Sequence, residues 1–141
     1  MKNEFINPVK AFMGYKSEMT LSQVVMFFEK QNIIFTKTMI QHYLKSGALP
    51  PLIGKRHYGK LHICALTIIH ILKDVYSLDQ IKSVFEPLYG ESFEAEYDSF
   101  IKMYEEAVDT FKTKQYEPGF LMAASAAAKD VFGELITLSI Q

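Results

Sequence analysis

The chain has 141 residues with a formal net charge of −1, and 49% of its residues are hydrophobic. This length and composition suit one compact domain, or one domain with an appended subdomain, and exclude a disordered tail. The single cysteine, Cys64, excludes an internal disulfide framework and a multi-cysteine metal site. The opening residues lack the apolar run of a signal peptide, and no uncharged run is long enough to cross a bilayer, so we expect a soluble cytoplasmic protein.

Charge is distributed unevenly along the chain. Residues 30–73 contain seven Lys or Arg, all four His and no acid, whereas residues 74–141 contain five Lys and thirteen acids. An acid-free stretch of this length is typical of a surface that binds a polyanion. The alternative is that the basic segment packs on the acidic half, in the same chain or in a partner subunit.

Three helix starts are predicted from capping boxes, in which a Ser or Thr hydroxyl and a Gln three residues later satisfy backbone amides. The boxes begin at Thr20, Thr38 and Ser77, and their partners are Gln23, Gln41 and Gln80. The second helix runs from Thr38 to about Ser46 and ends at Gly47.

The second predicted helix has two different sides. Its apolar side consists of Met39, Ile40, Tyr43 and Leu44, which predicts that Tyr43 lies in the core. Its polar side presents Thr38, Gln41, His42 and Lys45, with Lys37 at the helix entry.

The segment that follows cannot continue as a helix. Pro50 and Pro51 require an extended loop, and residues 52–58 predict a hairpin with its turn around Gly54 and Lys55. Residues 60–76 are apolar nearly all round, which is typical of a buried central helix. We therefore expect His62 and His70, both within that helix, to be hydrogen-bonded core residues.

The last part of the chain, residues 91–141, predicts an acidic hairpin of two helices. The first apolar stripe consists of Phe93, Tyr97, Phe100, Tyr104, Ala107 and Phe111. A break at Glu117, Pro118 and Gly119 separates it from the second stripe. The second stripe consists of Phe120, Leu121, Ala124, Ala128, Val131, Leu135 and Leu138.

Three short motifs carry a resemblance to a known family. They are the helix ending from Tyr43 through Gly47 to Pro50, the sequence Arg56-His57-Tyr58, and Leu72-Lys73 followed by Ser77-Leu78 and Ile81. Together they resemble the DNA-binding domain of the MerR family, and more specifically a domain-of-unknown-function branch of that superfamily. The resemblance covers under half of the chain. It implies an all-α fold built on a winged helix-turn-helix, with a small β-hairpin wing and the predicted C-terminal helical hairpin.

The resemblance also assigns roles. In MerR-like proteins the second helix, called the recognition helix, enters the major groove, and the wing holds phosphates. Tyr43 matches the aromatic residue of that recognition helix. Arg56 matches the wing arginine, and Tyr58 matches the tyrosine that closes the wing. Gln41 departs from the family, which usually has an arginine there, and Gly59 and His62 replace a Ser or Thr cap and an acid. The long coiled-coil helix of the family is also missing, and no effector motif is present.

These observations predict a DNA-binding transcriptional regulator that acts as a homodimer on double-stranded DNA. Its parts are an N-terminal extension, residues 1–19, a DNA-binding domain, residues 20–90, and the acidic hairpin. Lysine and arginine can neutralise phosphates, and Thr38, Gln41 and His42 can approach base edges. The expected DNA-binding residues are Lys37, Thr38, Gln41, His42, Lys45, Lys55, Arg56, Tyr58 and Lys60.

Other functions find less support in the sequence. Catalytic motifs such as a Gly-rich phosphate loop or His-Glu-x-x-His are missing, so we expect no enzyme, no cofactor and no metal site. For Gln41, a capping role is the alternative to base contact. The alternative function is a non-catalytic protein-protein interaction module that no longer binds DNA, with the stripe from Phe93 to Phe111 docking a partner.

Overall fold

The computed structural model describes residues 7–12, 18–89, 92–110 and 120–140, with the side chains of residue 120 and residues 134–140 left aside. The described residues are mostly helical and contain no strand, so the all-α prediction is confirmed. The helices are α1 (Pro8–Phe12), α2 (Leu21–Glu29), α3 (Lys37–Ser46), α4 (Lys60–Leu72), α5 (Leu78–Phe85), α6 (Phe93–Thr110) and α7 (Phe120–Ile140), with a 3₁₀ turn at Glu86–Leu88. The predicted break at residues 117–119 and the side chain of Phe111 lie outside the described residues.

The chain forms two compact units. The first ends at His70 and the second begins at Ile71, so the division falls inside α4. The boundary expected from the sequence lies at residues 90–91 instead. The reason for the difference is that α5 packs against α7, which groups α5 with the acidic helices.

Aromatic rings form the core of the first unit. Phe12 of α1 meets Phe27 of α2 edge to face at 6.2 Å, and Phe28 meets Phe35 at 5.0 Å. Phe35 in turn contacts Tyr43 of α3, with 6.3 Å between ring centroids. Such edge-to-face pairs contribute about 0.5–1.5 kcal/mol each beyond the apolar area they bury. The residues expected to form an N-terminal extension therefore include a helix that belongs to this core.

The predicted capping boxes at Thr20 and Ser77 are confirmed. In each box the Thr or Ser hydroxyl accepts a hydrogen bond from the backbone N–H of the glutamine. The side-chain oxygen of the glutamine accepts a hydrogen bond from the backbone N–H of the cap residue. Burial raises the pKa of Tyr43, which lies in the core as predicted. The predicted C-terminal stop of α3 is also confirmed, because Gly47 adopts a φ of 92° that favours glycine.

The predicted start of α3 at Thr38 is wrong. Thr36 caps the helix, with its Oγ1 atom 3.0 Å from the backbone nitrogen of Met39, and Thr38 lies inside the first turn. Phe35 before the cap and Ile40 after the first turn are both buried, which is the pattern of a hydrophobic staple. The Thr36 cap and this apolar pattern, rather than the Thr and Gln spacing at Thr38, mark where the helix begins.

The central helix is buried as predicted, although it ends at Leu72 and not near Tyr76. Every residue from 62 to 72 is buried, including Thr67, whose hydroxyl donates to the carbonyl oxygen of Ile63. Turns then lead to Ser77 and α5.

In the second unit α6 and α7 pack against each other, and α5 packs against α7. Phe132 of α7 is buried there, with its ring 5.5 Å from that of Phe100 and 6.4 Å from that of Phe85. The predicted stripe of α7 is corrected at Leu121, which is 42% exposed, and at Val131, which is partly exposed. The side chains of Phe120, Leu135 and Leu138, which also belong to that stripe, lie outside the described residues. The buried described residues of α7 are Ala123, Ala124, Ala127, Ala128 and Phe132.

Candidate nucleic-acid interface

Five of the predicted DNA-binding residues form the solvent-facing side of α3. Because residues four apart lie one above the other on a helix, Lys37, Gln41 and Lys45 form one row and Thr38 and His42 form the next. All five side chains are exposed. The opposite side of α3 buries Ile40 and Tyr43, so the predicted division into a polar and an apolar side is confirmed.

Two further cations lie in a tight turn. Ile53 and His57 pair as an antiparallel bridge through two backbone hydrogen bonds, of 2.8 and 3.0 Å between nitrogen and oxygen. The turn between them includes Gly54 at φ 57° and Lys55 at φ 67°, and it exposes Lys55 and Arg56. The bridge between Ile53 and His57 is isolated, and the described residues contain no pair of strands here. Of the predicted hairpin wing, the structure shows the turn but not the two strands.

The base of this loop is held by His62 of α4. Its Nδ1 atom accepts a hydrogen bond from the backbone N–H of Gly59 at 3.0 Å, which requires the hydrogen of the neutral ring to be on Nε2. Nε2 then donates to the carbonyl oxygen of Pro50 at 2.9 Å. One buried side chain therefore joins the two ends of the segment that carries Lys55 and Arg56.

His62 takes the place of the glutamine in a capping box. Gly59 precedes α4 and His62 is the third residue of that helix, the position from which Gln23 reaches back to Thr20. The replacement of a cap residue and an acid by Gly59 and His62 is therefore accommodated by a ring nitrogen. Burial lowers the pKa of His62, and the hydrogen bonds to backbone carbonyls oppose that effect without cancelling it. The prediction of a hydrogen-bonded core histidine is confirmed.

A second attachment holds the end of the loop. The backbones of Met19 and Tyr58 exchange two hydrogen bonds, both 2.8 Å, in an antiparallel bridge. The Tyr58 ring is 3% exposed and packs edge to face with His62, and burial raises its pKa. Tyr58 is therefore corrected from an expected DNA-contacting residue to a structural one.

The loop also has an acidic neighbour from outside the acid-free segment. Glu18 lies before the acid-free segment, yet its Oε2 atom is 3.8 Å from Nδ1 of His57. Both side chains are well exposed. The pairing of Met19 with Tyr58 brings Glu18 there, and no local sequence pattern reveals that long-range contact. The last predicted residue, Lys60, is partly exposed in the first turn of α4.

Other kinds of site receive no support from the described residues. No group of three or more His, Cys, Asp or Glu within them is arranged to hold a metal ion. Among the described helices, none combines the length and apolarity needed to span a bilayer. An apolar cavity near Leu72, Val84 and Phe132 has a volume of about 10 Å³, which is room for about one water molecule and not for a small-molecule effector.

The fold and this surface define a mostly helical protein whose first compact unit presents cations on one helix and on one anchored turn. The chain belongs to the family described as Domain of unknown function (DUF1836), whose sequence profile matches residues 15–107. No curated protein and no solved structure shows significant similarity to the chain.

Proposed function

We propose that the protein is a non-catalytic DNA-binding regulator of the MerR-like, winged helix-turn-helix type. The observation that carries this proposal is the composition of the exposed side of α3, with Lys37 and Lys45 at its ends and uncharged polar side chains between them. A duplex requires cations for its phosphates and uncharged donors and acceptors for its base edges.

The dimensions of α3 support this assignment. An α-helix with its side chains is about 10–12 Å in diameter, and Lys37 and Lys45 lie about 12 Å apart along the axis of α3. The major groove of B-DNA is about 12 Å wide and admits a helix. Lysine side chains at both ends of α3 can therefore reach phosphates while the residues between them meet the bases.

The anchored turn presents two further cations in the same compact unit as α3. Lys55 and Arg56 are exposed at its tip, while His62 and the pairing of Met19 with Tyr58 restrain its base. A restrained loop loses less conformational entropy on binding than a mobile one, so its charges contribute more of their interaction energy to affinity.

The test is binding of random-sequence duplex DNA, measured at several salt concentrations beginning at low salt. Each phosphate contact contributes about 0.9 to the slope of log affinity against log salt. Lys55→Glu combined with Arg56→Glu is therefore expected to weaken binding and to reduce the slope by up to about 2. Lys37→Glu combined with Lys45→Glu is expected to do the same.

A matched control is available in the acidic unit. Lys102→Glu combined with Lys129→Glu changes the net charge by the same amount at two exposed positions of α6 and α7, and it is expected to alter binding far less. If the wild-type protein binds no duplex at low salt, DNA binding is wrong. If the Lys55 and Arg56 variant binds like the wild type, the role of the turn is wrong.

The alternative role as a protein interaction module depends on the aromatic stripe from Phe93 to Phe111, of which Phe111 lies outside the described residues. Phe93, Tyr97, Phe100 and Tyr104 of the aromatic stripe are all at most 3% exposed within the second unit. These residues are therefore part of the core and do not face a partner.

The proposal includes a homodimer formed through the C-terminal helices, because one short helix reads few bases and two-fold sites are the common remedy. On α7, Leu121 and Met122 are 42% and 59% exposed. Leu121→Glu combined with Met122→Glu is expected to shift the mass in solution from dimer to monomer. A wild-type monomer at micromolar concentration would contradict the dimer.

A further inference from the structure

We infer that Gln41 is a specificity-determining residue that recognises an adenine in the major groove of the bound duplex. This inference rests on the proposed function, and it extends it from affinity for phosphates to the reading of a base.

Gln41 does not take part in the cap of α3. If Thr38 were the cap, the side-chain oxygen of Gln41 would accept a hydrogen bond from the backbone N–H of Thr38. Gln23 accepts such a bond from Thr20, with 2.8 Å between Oε1 and the backbone nitrogen. The cap is instead Thr36, and the residue three positions later is Met39. The helix start therefore leaves Gln41 outside the capping arrangement.

Gln41 also differs in its surroundings from the other glutamines that the structure describes in detail. Gln31 donates to the carbonyl oxygen of Phe27 at 3.5 Å, and the capping glutamines bind backbone amides. Within the described part of the chain the Gln41 side chain has no hydrogen bond, and it is exposed. Its amide is therefore available to a ligand.

The row of side chains that includes Gln41 has a cation at each end. Lys37 lies one turn before it and Lys45 one turn after it, on the same line along α3. The central group is uncharged and carries both a donor and an acceptor. A glutamine amide matches the N6 donor and N7 acceptor that adenine exposes in the major groove, and such a bidentate pair discriminates against the wrong base about tenfold or more.

The experiment selects duplexes from a random-sequence pool with the purified full chain at low salt, using the wild type, Gln41→Ala and Gln41→Arg. The wild type is expected to enrich adenine at one position of each half-site, and Gln41→Ala is expected to lose that preference about tenfold while its salt slope stays unchanged. Gln41→Arg is expected to enrich guanine at the same position, because arginine pairs with guanine O6 and N7. A misfolded variant cannot acquire a new base preference.

Ser22→Arg is the matched control, since it adds the same charge at an exposed position of α2. It is expected to keep the wild-type base preference. If the wild type and both Gln41 variants bind duplex with identical preferences, the assignment of Gln41 is wrong and DNA binding stands. If none of the proteins binds duplex, the proposed function itself is wrong.

Discussion

The Nδ1 atom of His62 accepts a hydrogen bond from the backbone amide of Gly59 at a distance of 3.0 Å. This contact caps α4 and closes the base of the loop that carries Lys55 and Arg56. It also requires the neutral form of the ring, because a proton on Nδ1 would face the amide hydrogen of Gly59. Protonation of this buried ring and the geometry of the loop are therefore linked.

Stability is expected to fall as the pH drops below about 6.5. Burial lowers the pKa of His62 from its ordinary value of 6.5 in the folded chain, so the unfolded chain binds this proton first. The stabilisation is thus complete above that value and is lost toward acid pH, by up to about 1.4 kcal/mol for each pH unit. Denaturant unfolding at pH 5 to 8 measures this.

Two variants isolate the contribution of His62 to that pH dependence. His62→Gln retains an acceptor for the Gly59 amide but cannot titrate, so its curve is expected to be flatter than that of the wild type between pH 5 and 7. Ser22→Gln, at an exposed position of α2, introduces a glutamine without removing a histidine and is expected to retain the wild-type pH dependence. If His62→Gln keeps the wild-type pH dependence, His62 is not responsible.

The start of α3 at Thr36 is expected to be visible in stability. Thr36→Ala removes the hydroxyl that binds the Met39 amide and should lower the free energy of unfolding by about 1 kcal/mol. Thr38→Ala should be neutral or slightly stabilising, since alanine is the better helix former at an exposed interior position. Urea unfolding of the two variants checks this, and a larger loss for Thr38→Ala would contradict the assigned start.

Replacement of Lys55 by glycine is expected to weaken DNA binding without lowering the stability of the fold. The φ of 67° at Lys55 lies in the left-handed region that disfavours a lysine. Lys55→Gly should therefore leave the free energy of unfolding unchanged or raise it by up to about 1 kcal/mol, while duplex binding weakens and the salt slope falls by about 0.9.

Lys55→Ala supplies the comparison for this prediction. It removes the same charge but retains the backbone strain, so it is expected to bind DNA like Lys55→Gly and to be less stable. Equal stability of the two variants would show that the strain is relieved in another way.

The alanine side of α7 is expected to resist enlargement. Ala124 is fully buried, whereas Ala126 on the same helix is partly exposed. Ala124→Leu should cost about 1–3 kcal/mol through overpacking, and Ala126→Leu should cost much less. Thermal unfolding distinguishes the two, and equal effects would contradict close packing at Ala124.

Much of the local structure followed from local patterns. The boxes at Thr20 and Ser77, the stop at Gly47 and the two sides of α3 depend on residues close together in the chain, and each was predicted from spacing alone. The start of α3 was missed because a matching Thr and Gln pair at Thr38 imitates a box. The staple of Phe35 and Ile40 was the signal that could have located it.

The candidate site likewise has features that follow from local spacing and features that depend on contacts between distant segments. Helical periodicity depends only on spacing, so the sequence alone predicts that cations and uncharged polar residues share one side of α3. Three other features depend on the folded chain, in which Tyr58 is buried, Glu18 lies beside His57, and His62 joins Pro50 to Gly59. These are contacts between distant segments, and their partners are selected by packing and hydrogen bonding over the whole unit, for which no local pattern is a guide.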